Sequence, residues 1–177
     1  MMIRKATKDD ISSVVEIYSR ILQSEVVGTS QTGWQKGVYP TEETARSALE
    51  SGDLFVMEAD GRITAAARLN QKQETAYQEC EWVFTASEDQ VMVLHTLVVD
   101  PEMAGKGYAT EFVAFYESYA RGHGCVSLRM DTNEKNLAAR RLYKKLGYRE
   151  SGIILCTFNG LDDVRLVCLE KSLEPYF

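Results

Sequence analysis

The segment from Val91 to Val99 constrains the fold more than any other part of the sequence. It is almost continuously apolar and ends at an Asp-Pro pair, which is the pattern of a strand buried on both faces of a sheet. A turn containing Gly105 and Gly107 follows, and aromatic residues at helical spacing begin at Tyr108. A buried strand, a glycine turn and an amphipathic helix in direct succession predict an α/β fold built around a sheet.

Further helix and strand patterns continue along the whole chain without a boundary between domains. Apolar residues three and four positions apart predict helices, and the pairs Asp60-Gly61 and Asn159-Gly160 predict tight turns between antiparallel strands. The predicted strands cover 3–6, 54–59, 63–69, 91–99, 126–130, 148–158 and 164–169, and the predicted helices cover 11–22, 42–51, 108–121 and 137–146. We therefore expect a single domain over residues 1–177, with a mixed, mostly antiparallel sheet flanked by helices.

The composition argues against several classes of protein. A formal net charge of −6 disfavours nonspecific nucleic-acid binding, and no segment approaches the run of about 18 apolar residues that a membrane helix needs. The N-terminal residues include charged and polar side chains from the start, so we expect no targeting segment and a cytoplasmic location. Neither nucleic acid nor a membrane is an expected partner, and the sequence leaves a homodimer open.

Cysteine and histidine give no sign of a metal or redox site. The four cysteines form no CxxC pair, and we expect them to be buried free thiols. They are Cys80, Cys125, Cys156 and Cys168. The chain has two histidines, without an HxxxH spacing or an acidic cluster beside them. We therefore expect no bound metal ion.

The glycine turn after the buried strand suits an anionic ligand. Glycine lets the backbone approach a ligand closely, and the start of a helix presents unpaired N–H groups at the positive end of its dipole. A pyrophosphate would fit such a turn, although an ordinary strand-to-helix turn has the same sequence pattern. Two common phosphate motifs do not fit. Lys106 is followed by Gly107 where a P-loop needs Ser or Thr, and Thr110 stands where a dinucleotide fingerprint needs glycine.

Two segments, taken together, resemble the GCN5-related N-acetyltransferase superfamily. The coenzyme A motif of this family is Q/R-x-x-G-x-G/A after a strand ending in V-x-P. Val99-Asp100-Pro101 matches the strand end, and Gly107 with Ala109 matches the second half, while Ala104 stands where the family usually has Gln or Arg. A second family segment, N-x-x-A-x-x-L-Y-x-x-L-G-F/Y, is matched from Asn136 to Tyr148. The likeness covers roughly residues 90–150 by motif and the whole chain by the order of its elements.

This resemblance implies acetyl-CoA as the cofactor and assigns residues to it. In the family, the strands before and after the coenzyme helix move apart, and the pantetheine arm lies between them. The strand backbone would then face the thioester, the glycine turn would bind the pyrophosphate, and Asn136 would hold the pantetheine arm. Tyr143 would protonate the departing thiolate. The implied cofactor-binding residues are Leu97, Val98, Val99, Ala104, Gly105, Lys106, Gly107, Tyr108, Ala109 and Asn136.

The attacking amine must lose a proton, and the sequence offers several bases for it. His95 lies in the strand that leads to the cofactor, and histidine side chains ordinarily titrate near neutrality, so His95 is the first catalytic candidate. A structural histidine in the core would give the same pattern. Glu79, Glu81 or a chain of water molecules are the alternatives.

The long loop between the first two predicted helices is the expected acceptor site. Its Trp34 and Tyr39 are candidate substrate contacts, as is Trp82 in the later polar connection, although each would serve equally well in packing. The resulting hypothesis is an acyl-CoA-dependent N-acetyltransferase, in which a small-molecule or peptide amine attacks acetyl-CoA directly in a ternary complex. A noncatalytic acyl-CoA-binding sensor is the rival hypothesis, since it would carry the same cofactor motifs.

Overall fold

A computed structural model describes residues 1–174 as a seven-stranded sheet with helices on both faces. The strands are β1 Met2–Lys5, β2 Leu54–Ala59, β3 Arg62–Asn70, β4 Val91–Val99, β5 Ser127–Asn133, β6 Arg149–Phe158 and β7 Leu161–Ser172. The helices are α1 Ile11–Val26, α2 Glu42–Glu50, α3 Tyr108–Gly122 and α4 Leu137–Lys145. Short 3₁₀ helices cover Lys8–Asp10, Thr75–Glu79, Glu88–Gln90 and Pro101–Met103.

The sheet has the strand order β1-β2-β3-β4-β5-β7-β6. Neighbouring strands are antiparallel except β4 and β5, which run parallel because α3 crosses between them. This topology confirms the α/β fold class with a mostly antiparallel sheet. Both tight turns lie where the sequence predicts them, at Asp60-Gly61 and Asn159-Gly160.

Alternating side chains of the sheet bury two different layers. In β2, Phe55 and Met57 pack on the α3 side, whereas Leu54 and Val56 pack with α1 and α2. A third buried cluster forms between the sheet and the connection of residues 71–90, which contributes Tyr77 to it. The longest helix, α1, has 16 residues. Within residues 1–174, no helix is both long and apolar enough to span a membrane.

The parallel strands β4 and β5 are joined along only part of their length. Their Cα partners run from Val91 and Ser127 to Leu94 and Met130. A register shift in the β3–β4 ladder and the positive φ of Thr96, 52°, bend β4 just beyond this point. The two strands therefore move apart, as the family resemblance implies.

β5 is longer than the sequence predicts. The apolar pattern ends at Met130, but the strand continues to Asn133 because it pairs with β7 along its whole length. Asp131, Thr132 and Asn133 form a polar run, so only the distant partner strand shows that these residues belong to the sheet. The extension carries three polar side chains into the gap between β4 and β5.

Two of the four cysteines are paired, which corrects the expectation of four free thiols. Cys80 and Cys168 form a disulfide across a sequence separation of 88 residues, while Cys125 and Cys156 are free. Cys80 belongs to the connection 71–90, which folds over β7 and brings the two sulfur atoms together. A separation this long gives no local sequence signal of pairing.

Candidate active site

A cavity of about 450 Å³ opens where β4 and β5 move apart. Its walls come from both strands, from α4, from the β6–β7 turn and from the loop between α1 and α2. Nine of the residues that the sequence singles out line this cavity, and they include expected coenzyme, catalytic and acceptor residues. They are Trp34, Tyr39, His95, Leu97, Val98, Val99, Ala104, Asn136 and Tyr143.

The glycine turn continues from Ala104 at the edge of this cavity. Gly105 and Gly107 both have a φ of 78°, and an added Cβ at either position would meet no atom within 4 Å. α3 begins directly afterwards, and the backbone N–H groups from Gly105 to Thr110 find no acceptor among residues 1–174. Free N–H groups at the positive end of a 15-residue helix fit the pyrophosphate of coenzyme A.

α4 places Asn136 and Tyr143 on the cavity. Asn136 caps the helix, since its Oδ1 accepts a hydrogen bond from the Ala139 N–H at 3.2 Å, which leaves Nδ2 for a ligand. Tyr143 is 7% exposed. Burial, and after it the negative charge of Asp131, raise the pKa of Tyr143 above its ordinary range. The hydroxyl therefore stays protonated at neutral pH and can act as a donor.

His95 is held between two oxygen atoms. Its Nδ1 lies 3.0 Å from Glu74 Oε1, and its Nε2 lies 2.8 Å from Asn70 Oδ1. The Asn70 amide has a fixed orientation, because its Nδ2 donates to Asp53 and its Oδ1 accepts from the Lys72 backbone N–H. Both ring nitrogens therefore face oxygen atoms of neighbouring side chains. In this arrangement His95 directs no free lone pair into the cavity.

Asp131, a partly buried carboxylate that sequence reasoning missed, lines the same cavity. Tyr77 donates its hydroxyl hydrogen to Oδ2 at 2.6 Å, while Oδ1 accepts no hydrogen bond from residues 1–174. Burial raises the pKa of Asp131 from 3.8 to about 6, although the Tyr77 hydrogen bond and nearby His95 oppose the shift. Glu74, which also lines the cavity, was missed as well. Neither residue belongs to a recognisable motif, and both follow predicted strands as parts of polar runs.

Comparison with known families identifies the fold around this cavity. A model of the acetyltransferase (GNAT) family matches residues 14–148. The chain belongs to the GNAT acetyltransferase family. Acetyl-CoA is the cofactor of this family, and the free N–H groups of the glycine turn and the gap between β4 and β5 fit it.

Relatives of this GNAT chain are distant but extend over most of its length. An uncharacterized N-acetyltransferase of Methanocaldococcus jannaschii is 23% identical over 158 residues, or 86% of this chain, and the chain spans 62% of that protein. The aminoalkylphosphonate N-acetyltransferase of Salmonella typhimurium is 24% identical over 150 residues, covering 84% of this chain and 85% of the relative. A crystal structure of a GNAT-family acetyltransferase from Streptococcus agalactiae has a TM-score of 0.80 at 24% identity, covering 98% of this chain and 96% of that one.

The loop between α1 and α2 covers the cavity of this GNAT chain. The Glu25 carboxylate accepts a hydrogen bond from the Gly33 backbone N–H at 2.9 Å, which folds the loop back on α1. The rings of Trp34 and Tyr39 meet edge to face at 5.7 Å, and the Tyr39 hydroxyl is hydrogen-bonded to Thr96 in β4. Burial raises the pKa of Tyr39 to about 12. The loop thus brings both predicted aromatic residues to the cavity.

A second cavity, of about 460 Å³, adjoins the first. Two cations, Arg68 and Lys72, and two carboxylates, Glu43 and Glu74, line this second cavity, and Arg68 is paired with Asp53 at 3.2 Å. The second cavity is therefore a polar extension of the first. The residues that line both cavities are Tyr39, Glu74, His95, Thr96 and Asn159.

Trp82 lines neither cavity, which does not fit its expected contact with an acceptor. Its ring packs edge to face on Tyr77 at 5.3 Å, and its Nε1 donates to the Tyr77 carbonyl at 2.9 Å. The connection 71–90 places it there by folding over the sheet. Trp82 therefore positions Tyr77, which in turn holds Asp131. The alternative bases Glu79 and Glu81 are exposed and also lie outside both cavities.

Proposed function

We propose that the protein transfers the acetyl group of acetyl-CoA to a primary amine, by direct attack of the amine in a ternary complex. The observation that carries this proposal is the cavity between the separated strands, in which the coenzyme-facing backbone of β4 adjoins a buried tyrosine and a carboxylate. Membership of the GNAT family supports the same class of reaction. Because such a cavity orients both reactants side by side, the transfer needs no covalent enzyme intermediate.

Free backbone groups of the glycine turn and of β4 indicate where the coenzyme would bind. Acetyl-CoA would supply the thioester whose acetyl group is transferred. The N–H groups from Gly105 to Thr110 would bind its pyrophosphate at the start of α3. The backbone of residues 97–99 would bind the pantetheine arm along the edge of β4 that β5 leaves open, and the Asn136 amide would donate to the arm.

Tyr143 would protonate the leaving sulfur. The thiolate needs a proton as the carbon–sulfur bond breaks, and a phenol that is kept protonated can donate it. Tyr143 meets this requirement, because burial raises its pKa and because it lines the cavity together with Leu97 and Asn136.

The second cavity supports a small acceptor that carries a negative group. Arg68 and Lys72 line this cavity beside the residues that it shares with the first. An amine at the junction of the two cavities would bring an anionic group of the same molecule near these two cations. One relative is named for an aminoalkylphosphonate, a molecule with both groups. We therefore take 2-aminoethylphosphonate as the first acceptor to test.

A coenzyme A release assay tests this function. Free thiol is measured after acetyl-CoA and the protein are mixed with 2-aminoethylphosphonate, glycine, spermidine, an aminoglycoside or a peptide with N-terminal alanine. Thiol release that depends on one of these amines, together with formation of its N-acetyl derivative, is expected. Calorimetric binding of acetyl-CoA without release in the presence of any of the amines would contradict the proposal and indicate a noncatalytic acyl-CoA-binding protein.

A further inference from the structure

We propose that Asp131 binds the acceptor as a primary ammonium ion and takes its proton, whereas His95 is a fixed member of the surrounding hydrogen-bond network. This inference rests on the proposed acetyl transfer. It names a substrate-binding and catalytic residue that no sequence motif marks. It also defines the acceptor as a primary amine that enters the cavity as a cation.

Asp131 stands where the two reactants would meet. The last Cα partners of β4 and β5 are Leu94 and Met130, so His95 and Asp131 are the next residues of their strands, at the point where the strands separate. The open edge of β4 that would hold the thioester begins at the same level. Tyr77 fixes one carboxylate oxygen of Asp131 at 2.6 Å, which leaves the other oxygen to accept from the acceptor nitrogen.

The charges around Asp131 favour a cation. Within residues 1–174, no lysine or arginine lines the first cavity, whereas Glu74 and Asp131 both do. The low dielectric of a partly closed cavity strengthens the attraction between a carboxylate and an ammonium ion. The titratable groups that interact with Asp131 come from the connection 71–90, β4, the α1–α2 loop, α4 and β6. They are Glu74, Tyr77, His95, Tyr39, Tyr143 and Cys156.

The acidity of Asp131 suits proton transfer near neutral pH. Burial raises its pKa from 3.8 to about 6. The carboxylate is therefore ionised above about pH 6, yet it binds a proton more readily than an exposed aspartate does. The proposed step should become faster as pH rises through this range.

His95 is less suited to take the proton. Glu74 and Asn70 occupy its two ring nitrogens at 3.0 and 2.8 Å. The ring would have to turn one nitrogen away from Glu74 or Asn70 before that nitrogen could meet the acceptor amine. Its contact with Glu74 instead holds this second carboxylate at the cavity wall.

The protons balance over one turnover. Asp131 takes one proton from the ammonium group, which frees the nitrogen lone pair to form the bond to the acetyl carbon. As the carbon–sulfur bond breaks, Tyr143 gives its proton to sulfur, and the nitrogen then releases a second proton that restores Tyr143. Asp131 releases its proton to solvent. The net products are the N-acetyl amine, the coenzyme A thiol and one proton.

The test measures kcat/KM against pH with ethylamine as the acceptor. Asparagine can still accept the hydrogen bond from Tyr77 but cannot act as the base. The kcat/KM of Asp131→Asn is therefore expected to fall roughly 100- to 10,000-fold below that of the parent, and its pH profile is expected to lack the acidic limb near pH 6. His95→Gln is expected to keep this limb, and the control Glu88→Gln, at an exposed residue outside both cavities, is expected to match the parent. A limb that persists in Asp131→Asn but disappears in His95→Gln would overturn the proposal.

A weakly basic acceptor separates the proposed chemistry from damage to the fold. Trifluoroethylamine is largely unprotonated at neutral pH, so the loss in Asp131→Asn is expected to be at least about tenfold smaller with this amine than with ethylamine. An equal loss with both amines, accompanied by weaker calorimetric binding of acetyl-CoA, would show that the substitution only disrupts the site and would overturn the proposal.

Carboxyl NMR gives a readout that does not depend on turnover. In protein labelled with carbon-13 at its aspartate carboxyl groups, the Asp131 signal is assigned as the one that is missing from Asp131→Asn. This signal is expected to titrate near pH 6 and to shift when ethylammonium is added. A titration below about pH 4.5, or no response to ethylammonium, contradicts the role of Asp131 even if acetyl transfer occurs. If Asp131 titrates near pH 6 and responds to ethylammonium but no amine is acetylated, the ammonium site is supported and the proposed acetyl transfer is contradicted.

Discussion

Burial has opposite chemical consequences for two side chains of the cavity. It raises the pKa of both Asp131 and Tyr143, because the charged form of each is less stable away from water. For the carboxylate, the shift makes a better proton acceptor near pH 6. For the phenol, the shift suppresses ionisation and preserves a donor. Two groups whose pKa values lie far apart can therefore supply a base and an acid within one cavity.

Removal of the Tyr143 hydroxyl should slow the chemical step. Phenylalanine keeps the ring and most of its packing, so Tyr143→Phe is expected to lose roughly 10- to 1000-fold in the single-turnover rate, while acetyl-CoA affinity changes little. Single-turnover measurement excludes slow product release as an explanation. A folded Tyr143→Phe variant that acetylates its amine at the parental rate would show that Tyr143 has only a packing role.

The buried carboxylate of Asp131 should destabilise the folded protein at neutral pH. Its folded pKa of about 6 lies above the ordinary 3.8, so the folded state holds this proton more tightly than the unfolded chain does. The stabilisation from this proton is complete below about pH 4 and is lost as pH rises through about 6. Asp131→Asn is therefore expected to raise the free energy of unfolding by about 1–3 kcal/mol at neutral pH and to change it little near pH 4.

Denaturant titrations of the parent and Asp131→Asn at several pH values check this expectation. A stability difference that does not depend on pH would show that the carboxylate is not perturbed in the folded state.

The sequence identifies the residues of this site that belong to local patterns. Asn136 and Tyr143 belong to one family segment, and Trp34 and Tyr39 belong to one unusually long loop; all four reach the cavity. Asp131 follows an apolar strand as the first letter of a polar run, and its place in the sheet depends on a partner more than 30 residues away. A pairing between strands so far apart leaves no local signal in the sequence, so the place of Asp131 in the site is seen only in the fold.

At the scale of elements, the turn before α3 offers a test with a matched control. Gly107 and Gly61 have φ values of 78° and 75°, and neither has an atom within 4 Å of an added Cβ. Alanine should therefore strain both turns by a similar amount, about 1–2 kcal/mol. Gly107→Ala is expected to weaken acetyl-CoA binding at least about tenfold, since its Cβ would stand beside the pyrophosphate, whereas Gly61→Ala should bind normally.

Calorimetry with acetyl-CoA decides between these outcomes. Equal affinity in Gly107→Ala and Gly61→Ala would remove the glycine turn from the coenzyme site.

Elements defined by local signals were also easier to predict than those defined by distant contacts. The turns at Asp60-Gly61 and Asn159-Gly160 have a characteristic two-residue pattern, and both hairpins form. The connection 71–90 has no regular spacing, yet it folds into two 3₁₀ helices, the first of which carries the buried Tyr77. Its path is fixed by the Cys80–Cys168 disulfide and by Val83 N–H, which donates to Glu170 in β7 at 2.8 Å. This path brings Glu74 to the cavity.

At the scale of the whole molecule, the cavity lies where three separately buried clusters meet. Leu97 and Tyr143 belong to the cluster on the α3 side, Val98 and Trp34 to the cluster of α1 and α2, and Leu166 to the cluster under the connection 71–90. The gap between β4 and β5 connects the parts of the cavity that these clusters line, since an uninterrupted ladder would fill it. The proposed chemistry therefore depends on the assembled fold, and no isolated segment of the chain contains the site.

The central claim is that the folded chain transfers an acetyl group directly from the coenzyme to a bound amine. A single-turnover experiment measures this most directly. Protein with bound acetyl-CoA is mixed with each amine of the release assay, and the masses of the small molecules and of the intact protein are measured by mass spectrometry. With the accepted amine we expect N-acetyl product and free coenzyme A in equal amounts, and an unchanged protein mass. An acetyl group found on the protein as an intermediate, or bound acetyl-CoA that no amine consumes, would contradict the claim.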